Sequence, residues 1–133
     1  MIYVTCAIIF RDAKVLAAKR SAHMSLPGKW EFPGGKMENG ELPRQAVIRE
    51  IKEELNIDIE IISALPESTY EYPGLSVTLI PFIVKWTGGE MVIKEHESVQ
   101  WLTKDQLFLP EWAAADLPVV RALEHAEVWK QND

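Results

Sequence analysis

The chain has 133 residues and is acidic, with 20 Asp and Glu against 14 Lys and Arg and a net charge of −6. This charge argues against sequence-independent binding of nucleic acid, which needs a basic surface. The length fits one domain, residues 1–133, with enough chain for a self-sufficient core. A single cysteine, Cys6 in an apolar run, excludes an internal disulfide and suits a reducing compartment.

The N-terminal segment predicts a β-hairpin. Residues 2–10 are apolar and β-branched, RDAK forms a turn, and VLAAKR supplies the second strand. Arg11 and Asp12 interrupt the apolar run too early for a membrane-spanning helix, and the run lacks a basic leader. We therefore expect a soluble, cytoplasmic protein without a membrane partner.

A long loop and then a helix follow the hairpin. Residues 21–41 contain two Pro and four Gly, which predicts a structured loop. The helix is predicted over Pro43–Leu55, because proline suits its first position and Asn56 suits a left-handed helix end. Leu42 is a poor N-terminal cap for it.

The rest of the chain predicts further strands and a second helix. The strand-like segments are IDIEIISAL, STYEYP, LSVTLIPFIVKW and SVQWLT, with Gly88 and Gly89 as a turn. The last helix is predicted from Leu117 to Trp129, with Asp116 as a plausible cap and Pro118 in its first turn. One sheet combined with two helices predicts a layered α/β or α+β fold.

Three glutamates crowd one face of the first predicted helix. At 100° per residue, Glu54 and Glu53 lie roughly 40° and 60° to either side of Glu50. The predicted buried stripe begins next to Glu54, and its members are Val47, Ile48, Ile51 and Leu55. A solvated charged face would lie opposite that stripe, and like charges at this spacing cost roughly 0.2–0.5 kcal/mol per pair. A hard divalent cation such as Mg²⁺ explains the cluster best.

Two further features support this interpretation. Arg49 offsets only Glu53, four residues on, while Lys52 points away from the cluster. The preceding loop, EFPGGKMENGE, contains Gly34 and Gly35, whose backbone can approach a ligand or metal closely.

The same residues resemble the Nudix box. The match consists of Gly35, five residues, Glu41, seven residues, and then REIKEELNI from Arg49. Asn56 replaces the family's glycine, and we expect the loop–helix–loop to survive because Asn tolerates the left-handed conformation. Fragments outside the box, including AAKRSAHM, KWEFPGGK and KEHESVQWL, are similar to the MutT-like branch with its bacterial CTP and oxidised-nucleotide pyrophosphohydrolases. The resemblance covers nearly the whole chain.

The resemblance implies a Nudix-type α/β/α sandwich with a mixed sheet, and hydrolysis of nucleoside triphosphates to monophosphate and pyrophosphate with Mg²⁺ or Mn²⁺. It implies the metal ligands Glu50, Glu53, Glu54 and the carbonyl of Gly34. Glu41 would be an outer partner of the metal site, and Arg49 would orient the glutamates.

The general base stays open between Glu50 and Glu95, which matches a loop glutamate serving this site in relatives. As a loop residue, Glu95 also fits ordinary exposed surface.

The resemblance also points to residues that would bind the nucleotide. Asp116 stands where the best-known MutT members carry an Asn that contacts the base, although a helix cap is equally plausible. An ionised carboxylate only accepts hydrogen bonds, so it would favour cytosine, guanine or 8-oxoguanine over uracil and thymine. The other candidates around the nucleotide are Arg20, Glu31, Phe32, Gly34 and Gly35, with Trp112 as a possible stacking surface. Arg20 could equally be a strand-end charge, and Phe32 and Trp30 could be core.

Two alternative functions remain open. A Nudix hydrolase of ADP-ribose or another nucleoside diphosphate derivative is one, because Pro73 lies 16 residues beyond Ile57, a weak marker of the ADP-ribose group. A catalytically silent nucleotide sensor is the other, and the intact carboxylates argue against it. The three histidines show no metal-ligand spacing and receive no role, and the oligomeric state is not predicted.

Overall fold

The computed structural model describes residues 1–130. The strands are β1 Ile2–Arg11, β2 Lys14–Lys19, β3 Trp30–Glu31, β4 Gly34–Lys36, β5 Asp58–Ala64, β6 Ser68–Tyr72, β7 Leu75–Gly88 and β8 Ser98–Leu102. The helices are α1 Pro43–Leu55 and α2 Leu117–Glu124. Short 3₁₀ turns lie at Lys104–Gln106, Ala114–Asp116 and Glu127–Lys130.

All eight strands belong to one mixed sheet, in which β3, β2, β1, β7 and β5 are neighbours in that order. The central strands β1 and β7 run parallel, from Ile2 opposite Val77 to Phe10 opposite Lys85. The short strand β4 pairs with β1, β6 with β7, and β8 with β2. The predicted N-terminal hairpin is confirmed, because β1 and β2 pair antiparallel with Arg11 opposite Lys14.

The sheet carries a core on each face. Alternate residues of β1 divide between the two, with Ile8 in one cluster and Ile9 in the other. Helix α1 covers the Ile9 side, where Val47, Ile51 and Leu55 are fully buried. Helix α2 covers the Ile8 side with its residues Val119, Val120 and Leu123. The predicted α/β/α sandwich with a mixed sheet is therefore confirmed.

Three details of the helices differ from expectation or sharpen it. Ile48 is 44% exposed, because it lies at the outer margin of the apolar stripe of α1. Asn56 adopts the predicted left-handed conformation, with φ 61°. Helix α2 ends at Glu124 instead of Trp129. The Trp129 indole donates to the Leu123 carbonyl at 2.7 Å, which fixes the chain in a 3₁₀ turn beyond the helix end.

The predicted loop 21–41 contains the two short strands β3 and β4. Segments of two and three residues are too short for a hydrophobic period to predict them. Within residues 1–130, no helix has both the length and the apolar character needed to cross a membrane.

Candidate active site

The glycines before α1 are required by close packing. Strand β4 pairs with β1, with Gly34 opposite Cys6. A Cβ atom at Gly34 would lie 2.0 Å from the Thr5 carbonyl oxygen, and one at Gly35 would lie 2.3 Å from the Glu50 carboxyl carbon. The backbone of β4 thus lies directly against a carboxylate of α1, as the predicted close approach requires.

Arg49 organises the acidic face of α1. It makes a two-point contact with Glu41, through Nε at 2.7 Å and Nη2 at 2.9 Å. Its Nη1 donates to Glu50 Oε2 at 2.9 Å and to Glu53 Oε1 at 3.3 Å. The Arg49 hydrogen bonds, with help from the Glu38 N–H, lower the pKa of Glu41 to about 2. Arg49 therefore donates to three glutamates, whereas the charge spacing along the helix alone indicated only Glu53.

Glu54 is the buried member of the acidic face, with 9% of its surface exposed. The pKa of Glu54 is raised to about 9. Burial is the largest cause, and the contact with Glu50 and the charges of Glu31 and Glu95 raise the pKa further. Its Oε1 is buried and has no hydrogen-bond partner among residues 1–130. Lys52 does point away from this face, as predicted, and contacts Asp58 at 3.3 Å.

The glutamates of α1 have the chemistry of ligands for a divalent cation, although their side chains do not converge on one point. Across residues 1–130, no three acidic, histidine or cysteine side chains converge at metal-binding distances. Glu50 and Glu53 are drawn onto Arg49, and Glu54 is turned inward. The donor set nevertheless consists of carboxylate oxygens on one helix face, one of them an orphaned buried acceptor. Hard divalent cations prefer such oxygens.

A cavity of about 160 Å³ brings most of the predicted residues together. Of the predicted metal and base residues, it is lined by Gly34, Glu54 and Glu95. Of the predicted nucleotide-binding residues, it is lined by Arg20, Glu31, Phe32, Gly35 and Asp116. The other four predicted residues, Glu41, Arg49, Glu50 and Glu53, do not line this cavity.

Asp116 directly precedes α2, but its side chain is buried and faces the cavity. It is 5% exposed, and its Oδ2 accepts a hydrogen bond from the Phe32 N–H at 3.0 Å. Asp116 occupies the N-cap position of α2, as predicted, but its side chain makes no capping hydrogen bond to the helix. Burial, reinforced by the charge of Glu31, raises its pKa to about 8. The raised pKa favours the protonated form of this carboxyl, which can donate a hydrogen bond as well as accept one, whereas the ionised form only accepts.

Glu31 is held by two basic side chains. Arg20 Nη1 contacts Glu31 Oε1, and His96 Nε2 lies 2.8 Å from Glu31 Oε2. Arg20 also donates to the Ser25 carbonyl and hydroxyl, so it fastens the loop after β2. The sequence assigned no role to His96. Its position next to Glu95 was the one available signal.

The aromatic residues near the cavity belong mainly to the core. Phe32 is 2% exposed, and its ring packs 4.7 Å from that of Trp112. The indole of Trp112 donates to the Leu107 carbonyl at 2.7 Å. Trp30 is bonded through its backbone to Glu111 and Ala113. Because the rings of Phe32 and Trp112 are packed on each other, neither is a free stacking surface for a base.

The chain is similar to known proteins over most of its length. Residues 2–123 match the model of the NUDIX domain. The chain is 36% identical over 122 residues to the CTP pyrophosphohydrolase of Escherichia coli K12, covering 92% of this chain and 90% of the relative. It is 34% identical over 111 residues to the 8-oxo-dGTP diphosphatase of the same organism, covering 84% and 86%.

Solved structures show the same likeness. The solution structure of the E. coli ORF135 protein superposes with a TM-score of 0.85 at 34% identity, covering 100% of this chain and 95% of that one. The solution structure of MutT from Staphylococcus aureus gives 0.76 at 40% identity, covering 92% and 95%. The chain therefore belongs to the Nudix hydrolase family and to its MutT-like branch.

Proposed function

We propose that the protein is a Mg²⁺-dependent nucleoside triphosphate pyrophosphohydrolase that releases a nucleoside monophosphate and pyrophosphate. One observation carries the proposal: a single cavity is lined both by Glu54, on the acidic face of α1, and by two further acidic side chains, the half-buried Glu31 and the buried Asp116. A triphosphate at the acidic helix and a base at Glu31 and Asp116 would occupy such a site together. The relatives named CTP pyrophosphohydrolase and 8-oxo-dGTP diphosphatase support cytidine or oxidised guanine nucleotides as substrates.

Nudix hydrolases generally need a divalent metal, and we propose Mg²⁺, with Mn²⁺ as a possible substitute. The residues that would hold it are Glu50, Glu53, Glu54 and the carbonyl of Gly34. When bound, it supplies the positive field that an acidic chain needs to bind and polarise phosphates.

The chain's own residues divide the remaining work. Arg49 and Glu41 hold Glu50 and Glu53 in place through their hydrogen bonds. We assign the general base to Glu95, because it lines the cavity, whereas Glu50 is bonded to Arg49 and does not line the cavity. The base takes the proton of the attacking water.

Asp116 and Glu31 would select the base. A protonated Asp116 presents a donor and an acceptor, and the Glu31 carboxylate accepts. Cytosine places an exocyclic amine beside a ring-nitrogen acceptor, and guanine places a carbonyl beside ring and exocyclic donors. Both match a polar pair of this kind.

A cytoplasmic location suits this activity, since nucleotides are metabolised there.

The test is pyrophosphate release with Mg²⁺ from 8-oxo-dGTP, CTP, dCTP and the common dNTPs, each at the same low concentration. Preference for 8-oxo-dGTP would indicate that the protein removes oxidised nucleotides from the nucleotide pool. Preference for CTP or dCTP would indicate that it hydrolyses cytidine nucleotides. Release of AMP and ribose phosphate from ADP-ribose, without any pyrophosphate from triphosphates, would replace the proposal with the ADP-ribose alternative. Binding without turnover of any substrate would indicate a sensor.

A further inference from the structure

We propose that His96 is a positioning residue that fixes the base-selecting Glu31 and the acidic-helix residue Glu54 relative to each other. Its consequences for substrate rest on the proposed function, whereas its contacts do not. His96 is 7% exposed and lies between these two carboxylates. A histidine buried between two acidic side chains needs an explanation, because burial of polar groups is costly unless they are paired.

The contact with Glu31 is a direct hydrogen bond. His96 Nε2 lies 2.8 Å from Glu31 Oε2, so the ring N–H donates to the carboxylate. Arg20 binds the other oxygen of the same carboxylate. With both oxygens held, Glu31 has one orientation in the cavity, and its remaining lone pairs point at fixed positions.

The contact with Glu54 is different in kind. His96 Nδ1 lies 3.9 Å from Glu54 Oε1, which is too long for a hydrogen bond. Both atoms are buried without a hydrogen-bond partner among residues 1–130. The ring therefore occupies the space beside the Glu54 carboxyl group without bonding to it, and we expect it to limit how far that group can turn.

The backbone holds His96 firmly enough for this role. The N–H of Lys94 donates to the Glu54 carbonyl at 3.1 Å, and the N–H of Glu97 donates to the Lys19 carbonyl at 2.9 Å. The two acceptor carbonyls belong to helix α1 and strand β2, and Glu95 and His96 lie in the chain between the two donors. Its ring is therefore placed by two regular elements, although it belongs to a loop.

The decisive variants are His96→Leu, which keeps an apolar side chain of roughly similar size, and His96→Gln, whose amide can donate near the Nε2 position. His125→Leu is the matched control, since that histidine is 82% exposed. The probes are CMP and 8-oxo-dGMP, titrated into the metal-free protein. We expect His96→Leu to weaken binding of the preferred monophosphate about tenfold, the equivalent of one charge-assisted hydrogen bond. We expect His96→Gln to recover most of that loss.

A double variant tests whether His96 acts through Glu31. In a Glu31→Gln background, His96→Leu should weaken binding by less than twofold. Losses that multiply, or equal behaviour of His96→Leu and His96→Gln, would overturn the proposal. In the active enzyme, His96→Leu should raise KM for the preferred nucleotide more than it lowers kcat. Binding of Mn²⁺ should also weaken in His96→Leu.

One measurement stays valid if the His96 variants fail to fold or if no triphosphate is hydrolysed. The ring nitrogens of His96 in the metal-free wild type should show a protonated, hydrogen-bonded Nε2 by NMR. That signal should shift in Glu31→Gln and stay unchanged in Glu60→Gln on the exposed face of β5. An unchanged signal in Glu31→Gln would overturn the contact itself. Absence of pyrophosphate release from the wild type would instead overturn only the proposed function.

Discussion

The backbone N–H of Phe32 donates to Oδ2 of Asp116 at 3.0 Å and thereby joins two segments 84 residues apart. The bond fixes one oxygen of a buried carboxyl group that belongs to the lining of the cavity. Because the group is buried beside Glu31, its protonated form is favoured. Two predictions depend on this pair.

The first concerns stability and pH. Asp116 has an ordinary pKa of 3.8 that rises to about 8 in the folded protein. Between these values the folded state binds more protons than the unfolded state, so the free energy of unfolding should fall as pH rises from 4 to 8. The slope from this group is at most about 1.4 kcal/mol per pH unit. Denaturant unfolding of the metal-free protein between pH 5 and 8 should show a shallower fall for Asp116→Asn. Parallel curves would contradict the buried protonated state.

The second concerns choice of base. Asp116→Ala removes a polar group that lines the cavity and leaves the glutamates of α1 unchanged. The ratio of kcat/KM between nucleotides with different bases should therefore change more than the maximal rate. The measurement is kcat/KM for 8-oxo-dGTP, CTP and UTP with the wild type and the variant. An unchanged ranking of the three substrates, with the fold intact, would remove Asp116 from base selection.

The acidic helix makes its own prediction. Glu53→Gln and Glu54→Gln should each reduce metal-dependent turnover at least about 100-fold, because each removes a charged ligand from the proposed metal site. Glutamine is nearly the same size, so both variants should keep the fold, and circular dichroism checks this. Glu60→Gln, an exposed glutamate of β5, is the control and should behave as wild type. Near-normal rates in both helix variants would end the metal assignment.

A glycine substitution tests the close approach of backbone and carboxylate. A Cβ at Gly35 would lie 2.3 Å from the Glu50 carboxyl carbon, so Gly35→Ala must displace Glu50. We expect at least about a tenfold loss of kcat, since small misplacements of catalytic groups are costly. Gly88→Ala is the matched control, because its Cβ meets only the Asp58 carboxylate at 3.3 Å. Equal activity of Gly35→Ala and Gly88→Ala would contradict the idea that close packing of Gly35 on Glu50 is needed for catalysis.

Much of the fold and part of the site could be predicted from local patterns. Helix α1 follows from its apolar stripe, its leading proline and Asn56, and each of these acts within a few residues. The order of Gly35, Glu41 and the REIKEEL segment identifies the family, because a spaced set of charged residues is visible in the sequence itself. The short strands β3 and β4 were missed because they exist only through pairing with distant strands.

The sequence by itself determined the layered fold, the acidic face of α1 and membership of the Nudix family, since these depend on periodicity and spacing along the chain. The tertiary structure alone decided that Asp116 bonds to Phe32, that its burial raises its pKa, and that its side chain makes no capping hydrogen bond to α2. It also decided that His96 lies between Glu31 and Glu54. The physical reason is that burial and hydrogen bonding between distant segments arise only when the sheet brings those segments together. Their effects on charge therefore leave no local pattern in the sequence.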